Sequence, residues 1–219
     1  VTAEEFVAAL DRENQARLHD LEPDATLLPE IKGALNVPNL LKVALRNEAE
    51  ATLIAARWLT SCHDTKLMLA LARQAADEAK HYELIAARLG RLGFDVETFD
   101  PLAGGLGPLS RYLDTLTENV ERVAAGQFTR EAIAIVKNRQ FIAFCERVGD
   151  KETASLYRDV IEPDERHHHE LGRRTLIRLA TTAEAQAAAQ RAARRTLELA
   201  DELQKTALAT AGIHHAPGC

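Results

Sequence analysis

The chain has 219 residues and a mass of 24.1 kDa, with 46% hydrophobic and 27% charged residues, which places it among globular rather than disordered chains. Its net charge is −6 and its pI about 5.8, so nucleic-acid binding is not its default role. No apolar run approaches the roughly 20 residues of a membrane span, and nothing near Val1 resembles a signal peptide. Cys62, Cys145 and Cys219 form no CxxC and no even framework; they read as reduced thiols of a cytoplasmic protein.

Thr2-x-x-Glu5 has the form of a capping box and opens a helix predicted over about 3–19. No Gly or Pro lies between Pro38 and Gly90, and Leu41, Leu45, Ala55, Leu59, Leu67, Leu71, Ile85 and Leu89 recur at helical spacing. This predicts a hairpin of helices over 38–61 and 64–90, with Asp64 as a cap. Residues 91–108 are rich in Gly and Pro and make a crossover; their glycines do not fit GxGxxG. A helix is predicted over 109–125, bent or broken at Gly126. A second hairpin follows over 127–148 and 150–180, turning at Gly149-Asp150. Thr181-Thr182-Ala183-Glu184 reads as another capping box, opening a last helix over about 182–208. No segment alternates like a strand, so the fold class is all-α. We expect one domain over 1–219: two antiparallel hairpins joined by a long crossover, with a bundle core of about 38–180 and flanking helices at both ends.

One nine-residue segment is repeated. Asp77, Glu78, His81, Glu83 and Leu84 recur as Asp164, Glu165, His168, Glu170 and Leu171, five of nine positions at an offset of 87. Each copy holds Glu-x-x-His, a spacing that points both side chains the same way from a helix. Leu71, Glu78, His81 and Ile85 share one stripe; Ile161, Glu165, His168, Thr175 and Leu179 share another. Charge on an apolar face needs compensation, and a metal cation provides it. Glu48 lies 15 residues before the first turn and Glu78 15 after it, so they stand level; Glu50 falls on another face and is solvated or bonded elsewhere. In the second hairpin the level position is about 134, which holds no carboxylate. Glu131 is nearest, about one helical turn away, and is taken as the ligand; the competing reading is an N-terminal residue favoured by the helix dipole, and Glu118 and Glu121 are the reserves.

The set Glu48, Glu78, His81, Glu131, Glu165 and His168 suits iron or manganese better than zinc. Two divalent ions would neutralise its four carboxylates. Asp164/His167 is a competing, shifted register. Tyr82, Tyr157 and Glu162 are candidates for the surroundings of such a site. Arg191, Arg194 and Arg195 form either a solvated basic face or a dock for an anion; His214 and His215 carry no assigned role.

With these motifs the chain resembles the ferritin-like di-iron carboxylate superfamily, whose pattern of Glu, Glu-x-x-His, Glu, Glu-x-x-His lies on four helices. The resemblance covers roughly 38–180, and Glu131 is its least regular position. It implies two iron ions, with manganese or a mixed pair as variants. It implies an oxidoreductase that activates O2 to oxidise or hydroxylate a small molecule, with electrons from an external donor. It resembles the small oxygenase and hydroxylase branch, which includes tRNA-modifying hydroxylases, more than storage ferritin; iron storage or peroxide removal are the alternatives. A homodimer is possible for such a protein, and neither membrane nor nucleic acid is an expected partner.

Overall fold

The computed structural model describes residues 1–20, 35–211 and Pro217. Cys219, His214 and His215 lie outside the described residues. Seven helical rods and a short 3-10 turn at Val96–Thr98 make up the regular structure, and no strand occurs among the described residues. They are α1 (Ala3–Asp20), α2 (Val37–Ser61), α3 (Thr65–Arg91), α4 (Pro108–Thr115), α5 (119–147), α6 (151–179) and α7 (Ala183–Ala211).

The ends of the helices follow local chemistry. Thr2 and Glu5 form both arms of the expected capping box, at 3.0 and 3.2 Å. Asn36 accepts from the Asn39 N–H at 2.9 Å with Pro38 in the first turn of α2, and Asp64 accepts from the Leu67 N–H at 3.0 Å. Gly149 takes a φ of 82°, a conformation that favours glycine, and makes the tight turn between α5 and α6. The last cap shifts by one residue from the expectation: Thr182, not Thr181, receives the Ala185 N–H.

Gly126 does not break a helix. The break falls instead at Leu116–Glu118, where Leu116 and Glu118 are extended, and α5 then runs without interruption. Gly126 sits in a π-helical turn, Ala124–Arg130, that closes with the Glu131 N–H bonded to the Gly126 carbonyl. Its missing side chain serves packing: a Cβ there would lie 2.7 Å from the Trp58 ring. A second π turn, Tyr157–Ile161, lies inside α6, two residues before Pro163. Pro163 therefore neither starts a helix nor stops one. It has no N–H to offer the preceding turn, and the wider π turn comes where that ladder would be interrupted.

The hairpins α2–α3 and α5–α6 form the bundle; α1 and α7 pack beside α5 and α6, and α7 also touches α4. Gly172 of α6 meets α5 at its π turn, where an added Cβ would lie 2.6 Å from the Gln127 carbonyl carbon. Backbone cannot swing aside like the end of a flexible side chain. Gly172→Ala is expected to lower stability by about 1–3 kcal/mol, read from denaturant unfolding.

The core of the described residues holds two large clusters, beside a small one of Leu18, Ile133 and Leu197. One contains Ile54, Trp58, Leu71, Phe128 and Leu176. The other contains Leu41, Leu45, Ile85, Phe141, Tyr157 and Ile161. Along each of the four bundle helices, a glutamate falls between the two sets: Glu48, Glu78, Glu131 and Glu165. The centre of the bundle is thus an ionisable layer held between apolar ones.

Candidate metal centre

The six side chains singled out by spacing are all buried, none more than 3% exposed. They form two overlapping clusters: Glu48, Glu78, His81 and Glu165, and Glu78, Glu131, Glu165 and His168, each offering ligand atoms within 4.8 Å of one another. Glu78 and Glu165 belong to both. The donor arrangement therefore has two positions with two shared carboxylates, each completed by one glutamate and one histidine.

Both imidazoles are held from behind. His81 Nε2 is 3.1 Å from Asp164, and His168 Nε2 is 3.0 Å from Asp77. The straps cross, because the aspartate of each repeat serves the histidine of the other. That leaves the Nδ1 atoms facing the carboxylates. His81 Nδ1 stands 3.4 Å from Glu78, 3.6 Å from Glu48 and 3.8 Å from Glu165. His168 Nδ1 stands 3.6 Å from Glu165 and 3.7 Å from Glu78. Neither Nδ1, nor Glu165 Oε2, has a hydrogen-bond partner, although all are buried. Unsatisfied polar atoms of this kind, converging on one point, are what a cation would satisfy.

Electrostatics records the crowding. Burial pushes Glu48 up to about 7 and Glu131 well above the usual carboxylate range. Burial and the charge of Glu78 raise Glu165. Burial acts on Glu78 too, but His81, His168 and Arg130 outweigh it and hold it down at about 2. Burial opposes the charged form of both histidines, yet the surrounding carboxylates win, Glu48 and Glu78 raising His81 to about 12 and Glu165 and Glu78 raising His168 to about 10. Without a cation, protons balance the charge.

The structure also sorts the remaining candidates. His168 enters the cluster, whereas His167 is exposed, and His169 stacks on Phe128 with Nδ1 2.7 Å from the Phe128 carbonyl. The shifted register is not the one that forms: Asp164 serves His81. Glu131 is brought in despite its offset of about 4.5 Å along the helix axis, a distance that a glutamate side chain can span. Glu118 is exposed and Glu121 half-buried, and neither joins the cluster. Glu50 is buried, not solvated; it accepts from Arg46 at 2.8 Å and from the Gly107 N–H at 2.9 Å.

Tyr157 is fully buried, packs edge-on against Phe141 at 4.8 Å, and its hydroxyl has no hydrogen-bond partner; burial and the charges of Glu48 and Glu165 hold the phenol protonated. Tyr82 is half-buried against the cluster that contains Leu41, Ile85 and Phe141. Glu162 is not part of the cluster, because Arg139 and Arg166 bind its Oε1 at 3.0 and 2.6 Å. Arg194 pairs with Glu13, and Arg195 with Glu198 and Glu202, so these two cations are already matched by carboxylates.

Three participants escape a search for ligand spacing. Asp77 and Asp164 were visible as identical positions of the repeat, but the crossing of the straps is a tertiary fact. Gln74 is the third: its amide nitrogen donates to Glu131 at 2.6 Å and to Glu78 at 3.2 Å, and its oxygen accepts from Gln127 at 2.8 Å.

No protein-family model matches the chain, and no curated protein matches it. Among solved structures it is similar to the crystal structure of a domain of unknown function with a heme oxygenase-like fold from Shewanella denitrificans OS217, with a TM-score of 0.66 and 15% identity, covering 94% of this chain and 95% of that one. At that identity the likeness concerns the fold alone, which is all-helical. No helix among the described residues is long and apolar enough to cross a membrane. The chain is therefore a helical bundle of heme oxygenase-like fold whose buried glutamate and histidine clusters have the composition to hold metal.

Proposed function

We propose that this protein is a di-metal carboxylate oxidoreductase, with two iron ions as its cofactor and manganese or a mixed pair as variants. The observation that carries this reading is the pair of buried, unpartnered histidine Nδ1 atoms facing four carboxylates, two of which are shared between both clusters. The residues fit the cofactor chemically: oxygen and imidazole donors without thiolate suit iron and manganese, and four carboxylates match the charge of two divalent ions. When bound, a redox-active pair supplies the electrons needed to reduce O2, replenished by an external donor.

The chain's own residues would do the rest. Glu48 and His81 would hold one ion, Glu131 and His168 the other, and Glu78 and Glu165 would serve both. Asp164 and Asp77 fix the imidazole orientation through Nε2. Gln74 steadies Glu131 by its amide N–H. The apolar layers on either side keep bulk water from the centre. A small-molecule substrate is the reading we favour. Arg194 and Arg195 pair with Glu13, Glu198 and Glu202, which lowers the net positive charge that a tRNA-modifying role would use at that face.

Protein produced with iron is expected to carry about two ions per chain, and its reduced form to change absorbance on meeting O2. Fewer than about 0.2 ions per chain would overturn the reading. Asp77→Asn or Asp164→Asn should weaken metal binding about 10- to 100-fold without unfolding the bundle, as followed by Mn(II) titration with circular dichroism in parallel. An unchanged affinity in both would remove the role assigned to the straps.

A further inference from the structure

A groove of about 450 Å³ lies between α1, α5 and α6. Cavities of a few hundred Å³ hold small organic molecules. The groove is behind the candidate metal centre and not in it, because neighbours in sequence divide between the two. Glu131, Glu165 and His168 belong to the centre; Ala132, Arg166 and His169 line the groove. Leu18, Ala132 and Ile135 give it an apolar lining.

Its polar groups are sorted by kind. Arg139 and Arg166 both bind Glu162 Oε1, Arg139 through Nε at 3.0 Å and Arg166 through Nε and Nη2 at 3.1 and 2.6 Å. Two guanidiniums against one carboxylate leave a positive balance. Among the described residues, both terminal nitrogens of Arg139 and Nη1 of Arg166 keep their N–H groups unspent. Acceptors gather elsewhere in the groove. Asp11 stands at the Glu170 end, where its charge acts on Arg173, but Arg173 is already held by Glu170 at 2.9 Å. His169 Nδ1 is 2.7 Å from the Phe128 carbonyl. A carbonyl only accepts, so Nδ1 carries the proton, and in the neutral ring Nε2 is left as an acceptor. The two kinds stand apart. Seven residues of α5 separate Ala132 from Arg139, and four of α6 separate Arg166 from Glu170, which is about 10 Å and about 6 Å of helix.

From this geometry we infer that the groove is a second binding site, for a small linear zwitterion whose carboxylate and ammonium groups are joined by a short apolar chain. The carboxylate takes the unspent N–H groups of Arg139 and Arg166, the chain lies along Leu18 and Ile135, and the ammonium group donates to Asp11 and His169 Nε2. A simple anion of that length would set nothing against Asp11, and a simple cation would set nothing against the two guanidiniums. An α-amino acid carries both charges, but too close together to reach both ends. The site uses none of the six candidate metal ligands and is independent of the di-metal reading.

The probe is 6-aminohexanoate, with hexanoate, hexylammonium and alanine as controls for a missing charge and for a short span. Protein as purified is titrated with each by calorimetry at low ionic strength, where exposed charges are least screened. Saturable binding of 6-aminohexanoate is expected, at a midpoint at least about threefold below that of every control, since one exposed ion pair is worth up to about fivefold. Asp11→Asn should erase the advantage over hexanoate, and Arg166→Gln should shrink the advantage over hexylammonium. Arg166 is exposed and Asp11 half-buried, and the two lie on different helices, so a fault in the folding of one variant leaves the other to decide. No saturable heat, equal midpoints for probe and controls, or a wild-type preference in both variants would overturn the inference.

Discussion

Replacing His168 by alanine is expected to cut bound Mn(II) or iron from about two ions per chain to one or fewer, while His167→Ala and His169→Ala keep the full complement. Three consecutive histidines make this a sharp comparison. Only His168 is buried with Nδ1 facing Glu165 and Glu78. His167 is exposed, and His169 spends Nδ1 on the Phe128 carbonyl. His169→Ala should cost stability instead, about 1 kcal/mol for the lost hydrogen bond and ring contact, without changing metal content. Glu165→Gln should be the more damaging change, because both clusters contain Glu165; the amide removes a charged donor from each position at once, and metal content should fall below about half an ion per chain. Metal analysis after gel filtration checks these, with circular dichroism to confirm the fold. Equal losses from all three histidine variants would refute the assigned register.

The second large effect is a crossing of two pH dependences. In the metal-free protein, His81 and His168 titrate at about 12 and about 10, above the ordinary histidine value of about 6.5 in an unfolded chain. Their stabilisation is therefore complete below about pH 6.5 and is lost as pH rises toward those folded values. Glu48, raised to about 7, acts in the same direction: between about pH 4.5 and 7 the unfolded chain gives up this proton while the folded one keeps it. Glu131 and Glu165, also raised, add to the trend. Glu78, held at about 2, works the other way, but its contribution is lost only in acid, as pH falls from about 4.5 toward that value. The Tm of metal-free protein should accordingly fall from pH 6 to pH 9. Metal binding must expel the protons, on the order of one or two per ion, so affinity should rise over the same range. The stabilisation added by Mn(II) should thus grow with pH. Thermal melts at fixed Mn(II) test this, and a metal-free Tm that rises with pH would refute it.

Much of this centre could be read from one dimension because it is built from short-range regularities. A helix repeats its faces every 3.6 residues, so Glu78 and His81 must point together, and so must Glu165 and His168. Equal arm lengths about a tight turn made Glu48 level with Glu78. Glu131 was harder, since the same arithmetic pointed to about 134; a reach of one helical turn lies within a side chain's length but outside what counting residues resolves. A break at Gly126 does not form, for a different reason. A glycine's backbone freedom is visible in the sequence, whereas its lack of a side chain matters only once Trp58 lies against it. Glu50 shows the converse: its spacing off the ligand face was correct, but its burial depended on Arg46 and the Gly107 N–H arriving from the crossover.

From its residues alone the chain determined an all-helical hairpin pair and the two Glu-x-x-His faces, because periodicity and turn chemistry act over a few neighbouring positions. Only the tertiary structure decided that Asp77 supports His168 and Asp164 supports His81, that Gln74 carries hydrogen bonds from the acidic layer on to Gln127, and that Glu162 turns away to Arg139 and Arg166. Those partners come from different helices, and which helix faces meet is set by packing of the whole bundle, which no local pattern encodes.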